Sequence, residues 1–166
     1  MKIIVTGGLG FIGSAFVRML KNYPNIKTVI VDKGTYASDI KRVKGCTYKL
    51  IKKDICDLTL EDIGTNVDYI INFAAESHVD RSISNGLQFV HSNIDGVFNL
   101  LEIAIKIPSL KKFVQISTDE VYGDKLNGES LTTDMLNPSS YYSASKAAAD
   151  MLVKSAGRTY GLPYLI

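Results

Sequence analysis

"VTGGLGFIG", residues 5–13, follows an apolar run and opens a helical pattern. Gly8, Gly10 and Gly13 fit the spacing G-x-G-x-x-G, and Gly7, Gly10 and Gly13 fit its variant with two-residue gaps. Glycines at these positions allow a tight turn, close approach of a pyrophosphate to the backbone, and close packing of helix on strand. The amide groups at the start of such a helix attract phosphate. The stretch therefore predicts a dinucleotide-binding strand–loop–helix unit.

The next apolar run, "TVIVD", ends at Asp32, about 20 residues after Gly13, which is the spacing of a ribose-binding acid in such units. A carboxylate there accepts hydrogen bonds from the adenosine ribose and repels a 2′-phosphate, which favours NAD over NADP, although Lys33 beside it keeps NADP open. Asp54 and Ile55 end a third run and are candidates for contacts with adenine. The alternatives are a cluster of turn glycines with a capping Asp32, and a helix-capping Asp54 followed by a core Ile55.

Short apolar runs alternate with helical patterns along the chain. The runs predict strands at residues 2–7, 28–32, 47–54, 68–75 and 112–118. Helical patterns cover residues 10–23, 87–105 and 137–161. Such alternation predicts an α/β fold with a doubly wound parallel sheet of the Rossmann type, in a single NAD-binding domain of residues 1–166. The last letters, "GLPYLI", resemble the opening of a sixth strand, so we expect the chain to end inside a strand.

The composition narrows the class of protein. A formal net charge of +2, spread over mixed charges, gives no basic stripe for nucleic acid. Cys46 and Cys56 have no histidine at ligand spacing and are expected to be reduced thiols, with a disulfide or a metal site as alternatives. No apolar run has the length of a membrane span or of a signal-peptide core. We therefore expect a soluble, cytoplasmic protein with no metal and no nucleic-acid or membrane partner.

"SYYSASK" places Tyr142 and Lys146 four residues apart, on the same face of a helix. A nearby ammonium lowers the pKa of a tyrosine, which can then take a proton from a substrate hydroxyl near neutral pH. Hydride transfer from an alcohol to nicotinamide requires such a base. The alternative is a chance pair on an ordinary helix.

Thr118, Asp119 and Glu120 follow the fifth strand. Ligands of doubly wound sheets bind beyond the carboxyl ends of the strands, so these residues are expected beside Tyr142. Two crowded acids suit a site in which one is held protonated as an acid and the other ionised as a base. The alternative is a turn-capping Asp119 and a solvated Glu120.

"AAESHVDRS", residues 74–82, follows the fourth strand and is expected at the same rim. His78 and Arg81 are candidates for substrate contacts. The alternatives are an ordinary surface histidine and a structural ion pair between Arg81 and Asp80.

Six motifs, in this order, resemble the extended short-chain dehydrogenase/reductase family, and in particular its nucleotide-sugar 4,6-dehydratases: "TGGLGFIGSAFVR", "VDKGTYA", "DICD", "AAESHVDRSI", "STDEVYG" and "YSASKAAAD". Nucleotide-sugar epimerases of the family share the glycine loop and the Tyr–Lys pair but typically lack the Asp–Glu pair. The resemblance implies NAD as cofactor, a nucleotide-sugar substrate of the dTDP-glucose type, and a lyase reaction of 4-oxidation, water elimination and hydride return to C6.

The resemblance also implies residue roles. Tyr142, assisted by Lys146 and Thr118, would remove the proton of the sugar 4-hydroxyl. Glu120 would take the C5 proton while Asp119 protonates the departing 6-hydroxyl. The implied cofactor contacts are Gly7, Gly10, Phe11, Ile12, Gly13, Asp32, Lys33, Thr35, Asp54, Ile55, Ala74, Ala75, Ser117, Tyr142 and Lys146. The implied substrate contacts are Ser77, His78, Arg81 and Thr118.

Members of the family tend to dimerise through two helices, here residues 85–106 and 140–157, and Ala147, Ala148 and Ala149 would permit close packing. They also run to about twice this length, with a C-terminal lobe that grips the substrate nucleotide, and we expect that lobe to be absent from this chain. Two alternatives to a dehydratase therefore stay open. One is a dinucleotide-binding module without turnover of its own, and the other is a relative of the epimerases.

Overall fold

The computed structural model describes residues 1–125 and 127–166, with the backbone alone at Arg81. The strands, in chain order, are β1 (Lys2–Thr6), β2 (Lys27–Val31), β3 (Lys49–Ile51), β4 (Tyr69–Asn72), β5 (Lys112–Gln115) and β6 (Tyr164–Leu165). The α-helices are α1 (Phe11–Leu20), α2 (Leu60–Ile63), α3 (Val79–Ser84), α4 (Gly86–Phe89), α5 (Gly96–Ala104) and α6 (Tyr141–Tyr160). A π-helical segment, Val90–Asp95, joins α4 to α5, and Ile40–Val43 and Asp119–Tyr122 form 3₁₀ turns.

The strands form one parallel sheet in the order β3-β2-β1-β4-β5-β6. From β1 the chain adds β2 and β3 on one side of the sheet, and it then crosses over to add β4, β5 and β6 on the other side. The reversal between β1 and β4 opens a crevice at the carboxyl ends of these two strands. The prediction of a doubly wound parallel sheet is confirmed. The strand predicted at 47–54 is shorter, because β3 is an edge strand that pairs with β2 over Lys49–Ile51 alone.

The two faces of the sheet carry separate apolar clusters, because successive side chains of a strand point to opposite faces. On β1, Ile4 packs into the cluster that contains Phe113 of β5 and Val153 of α6. Val5 belongs to the other cluster, with Val17 of α1. Both faces are therefore covered by helices, and the packing fixes the directions from which β1, β5, α1 and α6 reach the crevice.

Helix α6 begins and ends where local chemistry dictates. Ser140 and Ser143 form a reciprocal capping box, and Gly161 ends the helix in the left-handed conformation at φ +69°. The single helix predicted over 87–105 is instead α4, the π-helical segment and α5. Within the described residues, no helix combines the length and apolarity needed to cross a bilayer.

Candidate active site

The glycine loop joins β1 to α1 at the carboxyl edge of the sheet. Gly7 has a φ of +66°, and a Cβ there would lie 2.7 Å from the backbone nitrogen of Ala74, in the loop after β4. A Cβ at Gly13 would lie 2.3 Å from the carbonyl oxygen of Gly7. Side chains at either position would push the segments apart, so the glycines keep bare backbone at the crevice.

The start of α1 suits a bound anion. Gly10 caps the helix without a side-chain hydrogen bond, and the first turn carries no acidic residue. The partial positive charge of the helix end is therefore not offset by an acidic side chain in the first turn. Phe11 and Ile12, predicted as cofactor contacts, lie in this exposed first turn.

Asp32 is buried and organises the loops around the crevice. Its Oδ2 accepts a hydrogen bond from the backbone amide of Leu9 at 2.9 Å. Its Oδ1 accepts from the Gly34 amide at 2.9 Å and from the Ser38 hydroxyl at 2.6 Å. The contact with Ser38 was not predicted, since no spacing rule marks a serine six residues after the acid. The carboxylate is thus fixed at the end of β2, where a ribose-binding acid is needed.

The far end of the crevice is closed by an ion pair. The Lys33 ammonium lies 3.2 Å from Asp54 Oδ2 and donates to the Ser92 hydroxyl at 3.1 Å. Burial alone would raise the pKa of Asp54, but the hydrogen bond from the Cys56 amide and the charge of Lys33 together lower it. Lys33 is therefore directed toward Asp54, and Ile55 is buried beside them.

The crevice holds about 550 Å³ of space, including open solvent. Nine predicted cofactor residues line it: Gly7, Gly10, Asp32, Lys33, Thr35, Asp54, Ile55, Ala74 and Ala75. A glycine cradle, an unopposed helix N-terminus and a fixed acid together fit a dinucleotide. Three further predicted contacts, Ser117, Tyr142 and Lys146, lie outside this lining, just after β5 and on α6.

Tyr142 lies half-buried in the first turn of α6, with its ring edge toward Phe89 at a centroid distance of 6.4 Å. Burial raises the pKa of Tyr142, a hydrogen bond with the Thr118 side chain opposes this, and the charges of Glu120 and Asp119 raise the pKa further. The predicted lowering by Lys146 is therefore wrong for this structure. Spacing along a helix gives a shared face but not the direction of a flexible lysine.

Lys146 is 4% exposed, and its ammonium donates to the carbonyl oxygen of Ile116 at 2.5 Å. Burial lowers the pKa of Lys146 to about 8, against a smaller opposing effect of Asp150. The ammonium is thus anchored to the end of β5, beside the segment that carries Thr118.

Asp119 and Glu120 are exposed and open the 3₁₀ turn that follows β5. The Thr118 hydroxyl caps this turn by accepting from the Glu120 amide at 3.3 Å, and it donates to Asp119 Oδ1 at 3.3 Å. Both carboxylates act on Tyr142, as noted for its pKa. The acid pair thus lies beyond the carboxyl end of β5, in the turn whose Thr118 side chain bonds Tyr142.

The predicted substrate residues Ser77 and His78 are exposed in the loop after β4. The His78 ring lies 5.8 Å from the Tyr36 ring, and the Tyr36 hydroxyl donates to Glu76 Oε2 at 3.3 Å. These contacts join the loops after β2 and β4 across the crevice. The side chain of Arg81 lies outside the described residues.

A buried asparagine ties this loop to the helices. Asn93, in the π-helical segment, accepts from the Glu76 amide at 2.8 Å and donates to the Glu76 carbonyl oxygen at 2.9 Å. It also donates to the Ser145 hydroxyl at 2.9 Å. One side chain therefore fixes the β4 loop against the helix that carries Tyr142.

Asp54, Cys56 and His91 bring a carboxylate, a thiol and an imidazole within 4.8 Å of one another. Burial and the charge of Asp54 raise the pKa of the Cys56 thiol to about 12, so the thiolate that a metal needs is disfavoured. The thiol donates to the His91 carbonyl oxygen at 3.3 Å, and the Lys33 ammonium lies beside Asp54. The chemistry of this group is therefore poor for a cation.

Residues 3–166 match the NAD dependent epimerase/dehydratase family, and the chain belongs to that family. A dTDP-glucose 4,6-dehydratase of Haemophilus influenzae is 45% identical over 183 residues, which covers 100% of this chain and 54% of the relative. The prediction of an NAD-dependent family is confirmed.

Two solved structures show how far the fold is shared. DesIV, a dTDP-glucose 4,6-dehydratase from Streptomyces venezuelae with NAD and TYD bound, has a TM-score of 0.92 at 38% identity, over 99% of this chain and 54% of that one. A UDP-glucuronic acid 4-epimerase from Bacillus cereus, with UDP-glucuronic acid and NAD, has a TM-score of 0.92 at 28% identity, over 100% and 55%. The chain thus spans about half the length of the relatives it matches.

Proposed function

We propose that this chain carries the NAD-binding and catalytic residues of a nucleotide-sugar 4,6-dehydratase, a lyase, with a substrate of the dTDP-glucose type. The main support is the Thr118–Glu120 turn, in which two exposed acids follow the threonine that hydrogen-bonds Tyr142. Oxidation of an alcohol needs one base, whereas removal of water needs a further base and an acid.

The crevice supports NAD as the cofactor. Gly7, Gly10 and Gly13 would hold the pyrophosphate against backbone, the start of α1 would supply amide groups, and Asp32 would accept from the adenosine ribose. Lys33 is directed toward Asp54, which favours NAD over NADP. NAD, when bound there, supplies a hydride acceptor for C4 and a hydride donor for C6.

In the first step, Tyr142 takes the proton of the sugar 4-hydroxyl as the C4–H bond breaks and C4 becomes a ketone. Thr118 assists because its hydrogen bond favours the phenolate of Tyr142. The buried ammonium of Lys146 supplies positive charge one helical turn away.

In the second step, the 4-ketone acidifies the C5–H bond, and Glu120 takes that proton. The C6–O bond breaks, and Asp119 donates the proton with which the oxygen leaves as water. Hydride then reaches C6 and a proton returns to C5 from Glu120. The sugar loses one water in total, and the ketone at C4 remains.

Ser77, His78 and Arg81 are proposed to contact the substrate, together with Thr118. Ser77 and His78 are exposed, and their loop is held by Asn93 against the helix of Tyr142. A rim fixed in this way would place a sugar near the tyrosine.

We further propose a cytoplasmic homodimer built on α4–α5 and α6. Apolar side chains on these helices are exposed, with 77% of Leu87, 53% of Phe98 and 56% of Met151 accessible. Ala147 and Ala149 are buried inside the chain, so their expected role in this contact is wrong. Ala149 packs with Val153 in the core cluster against the sheet.

The test is turnover by the purified chain with NAD and dTDP-glucose, followed by mass spectrometry of the sugar nucleotide. We expect a product lighter by one water, which disappears in Tyr142→Phe. A product of unchanged mass but inverted C4 would favour an epimerase, the fold of the Bacillus cereus neighbour. NAD binding without any product would favour a binding module that needs another chain for turnover.

A further inference from the structure

Asp150 lies on α6 one turn beyond Lys146 and is 4% exposed. Its Oδ2 accepts a hydrogen bond from the Ser117 hydroxyl at 2.5 Å. Its Oδ1 is buried and has no partner among the described residues. A buried carboxylate oxygen without a hydrogen bond costs free energy, so a structural role alone gives no reason for this acid.

Ser117, the hydrogen-bond partner of Asp150, lies between the two residues that contact Lys146 and Tyr142. Ile116, on one side of Ser117, accepts from the Lys146 ammonium. Thr118, on the other side, provides the hydrogen bond to Tyr142. By holding Ser117, Asp150 fixes the backbone that positions both groups.

Charge connects Asp150 to Lys146 as well. The cations that act on Asp150 are Lys146 and Lys154, each one turn away on α6, while Asp119 and Glu120 act on Tyr142. The other described titratable groups on elements packed against α6 are Asp80, His91, Asp95, Glu102, Tyr122 and Tyr164. None of these acts on Lys146 or Asp150. Asp150 is therefore a charged group that opposes the effect of burial on Lys146, beside the hydrogen bond to Ile116.

We propose that Asp150 is a positioning residue of the site: its carboxylate fixes Ser117, and with it the Ile116 carbonyl that anchors Lys146 and the Thr118 side chain that bonds Tyr142. The role rests on the proposed dehydratase function, because the Thr118 hydrogen bond favours the phenolate that Tyr142 must become. Without the negative charge, burial would make neutral Lys146 more common near neutral pH, and its hydrogen bond to the Ile116 carbonyl would weaken.

The test variant is Asp150→Asn, which retains an oxygen for Ser117 and removes the charge. The readout is the NMR titration of Lys146 in the methylated chain, with its signal assigned by loss in Lys146→Arg. We expect the apparent pKa of Lys146 to fall by about one pH unit. Glu61→Gln, which removes an exposed carboxylate on α2, should leave it unchanged. An unchanged titration in Asp150→Asn would overturn the proposal.

A second measurement needs no variant and covers the case in which Asp150→Asn fails to fold. The carboxyl carbon of Asp150 in the unmutated chain should show an inflection at the pH where Lys146 titrates, and its absence would contradict the coupling. Neither readout needs turnover, so failure of the dehydratase assay is distinguishable from failure here. In a chain that turns over, Asp150→Asn should also move the acid limb of kcat to higher pH with KM retained. An unmoved limb would contradict the positioning role.

Discussion

At the scale of single residues, Lys146 is a charged side chain that the fold buries. Its pKa is lowered to about 8 from an ordinary 10.5, chiefly by desolvation. A base whose folded pKa is lowered destabilises the fold below that pKa. The penalty is relieved as pH rises from about 8 to 10.5, because the folded chain then releases its proton before the unfolded chain does.

Lys146→Met should therefore raise the free energy of unfolding at pH 7 by about 1–2 kcal/mol, less than the full shift implies, because Ile116 and Asp150 lose a partner. It should also remove the rise in stability between pH 8 and 10.5. Urea unfolding at several pH values measures both effects. Lys154→Met, an exposed position on the same helix, is the control and should change little. Lower stability of Lys146→Met at pH 7 would contradict the account.

A separate prediction concerns the acid pair, Asp119 and Glu120. Glu120→Gln should reduce dehydration by about 10²–10⁴-fold, since a general base is lost. The first oxidation should persist and appear as absorbance of the reduced cofactor. Glu61→Gln on α2 removes an exposed carboxylate of the same kind and should keep full turnover. Dehydration by Glu120→Gln at the rate of that control would exclude Glu120 as the base.

The sequence predicted the positions of the site residues more accurately than their pKa values and contacts. The order of the strands was enough to place Asp119 and Glu120 at the edge of the sheet where the crevice lies, because carboxyl ends of parallel strands share one edge. The raised pKa of Tyr142 and the contact of Asp150 with Ser117 were missed. Asp150 stands four residues after Lys146, a spacing that was available, but only the packing shows that its oxygen is buried.

At the scale of elements, the glycine loop was predictable because its spacing reflects a steric need. The helix over 87–105 was predicted as continuous, since its apolar residues keep helical spacing throughout. The π-helical turn was missed because one wider turn hardly disturbs that spacing. The wider turn contains Asn93, which meets Glu76 and Ser145.

Gly13→Ala should lower stability by about 1–3 kcal/mol and weaken NAD binding at least about tenfold, because its Cβ would meet the Gly7 carbonyl oxygen at 2.3 Å. Thermal unfolding and calorimetric titration with NAD measure the two effects. Gly10→Ala is a graded comparison, since its Cβ would lie 3.2 Å from the same oxygen, and its effects should be smaller. Equal effects of the two variants would mean that contact with the Gly7 carbonyl oxygen does not determine the conformation of the loop.

At the scale of the whole molecule, the alternation of strands and helices was sufficient to predict the architecture. Right-handed crossovers and burial of both faces leave few ways to arrange such a chain. The apolar faces of α4–α5 and α6 show what periodicity could not, namely which side chains stay uncovered in a single copy.

The proposed dimer is testable at this scale. Leu87→Glu should convert it to a monomer at micromolar concentration, because a symmetric interface would contain the introduced charge twice. Light scattering after size-exclusion chromatography measures the mass. Ile40→Glu alters a residue that is 56% exposed away from these helices and should leave the dimer intact. A monomeric unmutated chain would refute the dimer.

The proposed reaction requires one site that both oxidises C4 and removes water. The most direct measurement is the reaction of the chain with NAD and dTDP-glucose in heavy water, with mass spectrometry and NMR of the product. We expect a sugar that has lost one water and carries deuterium at C5, because the proton held by Glu120 exchanges with solvent. A product that retains its water, or a dehydrated product without deuterium at C5, would contradict it.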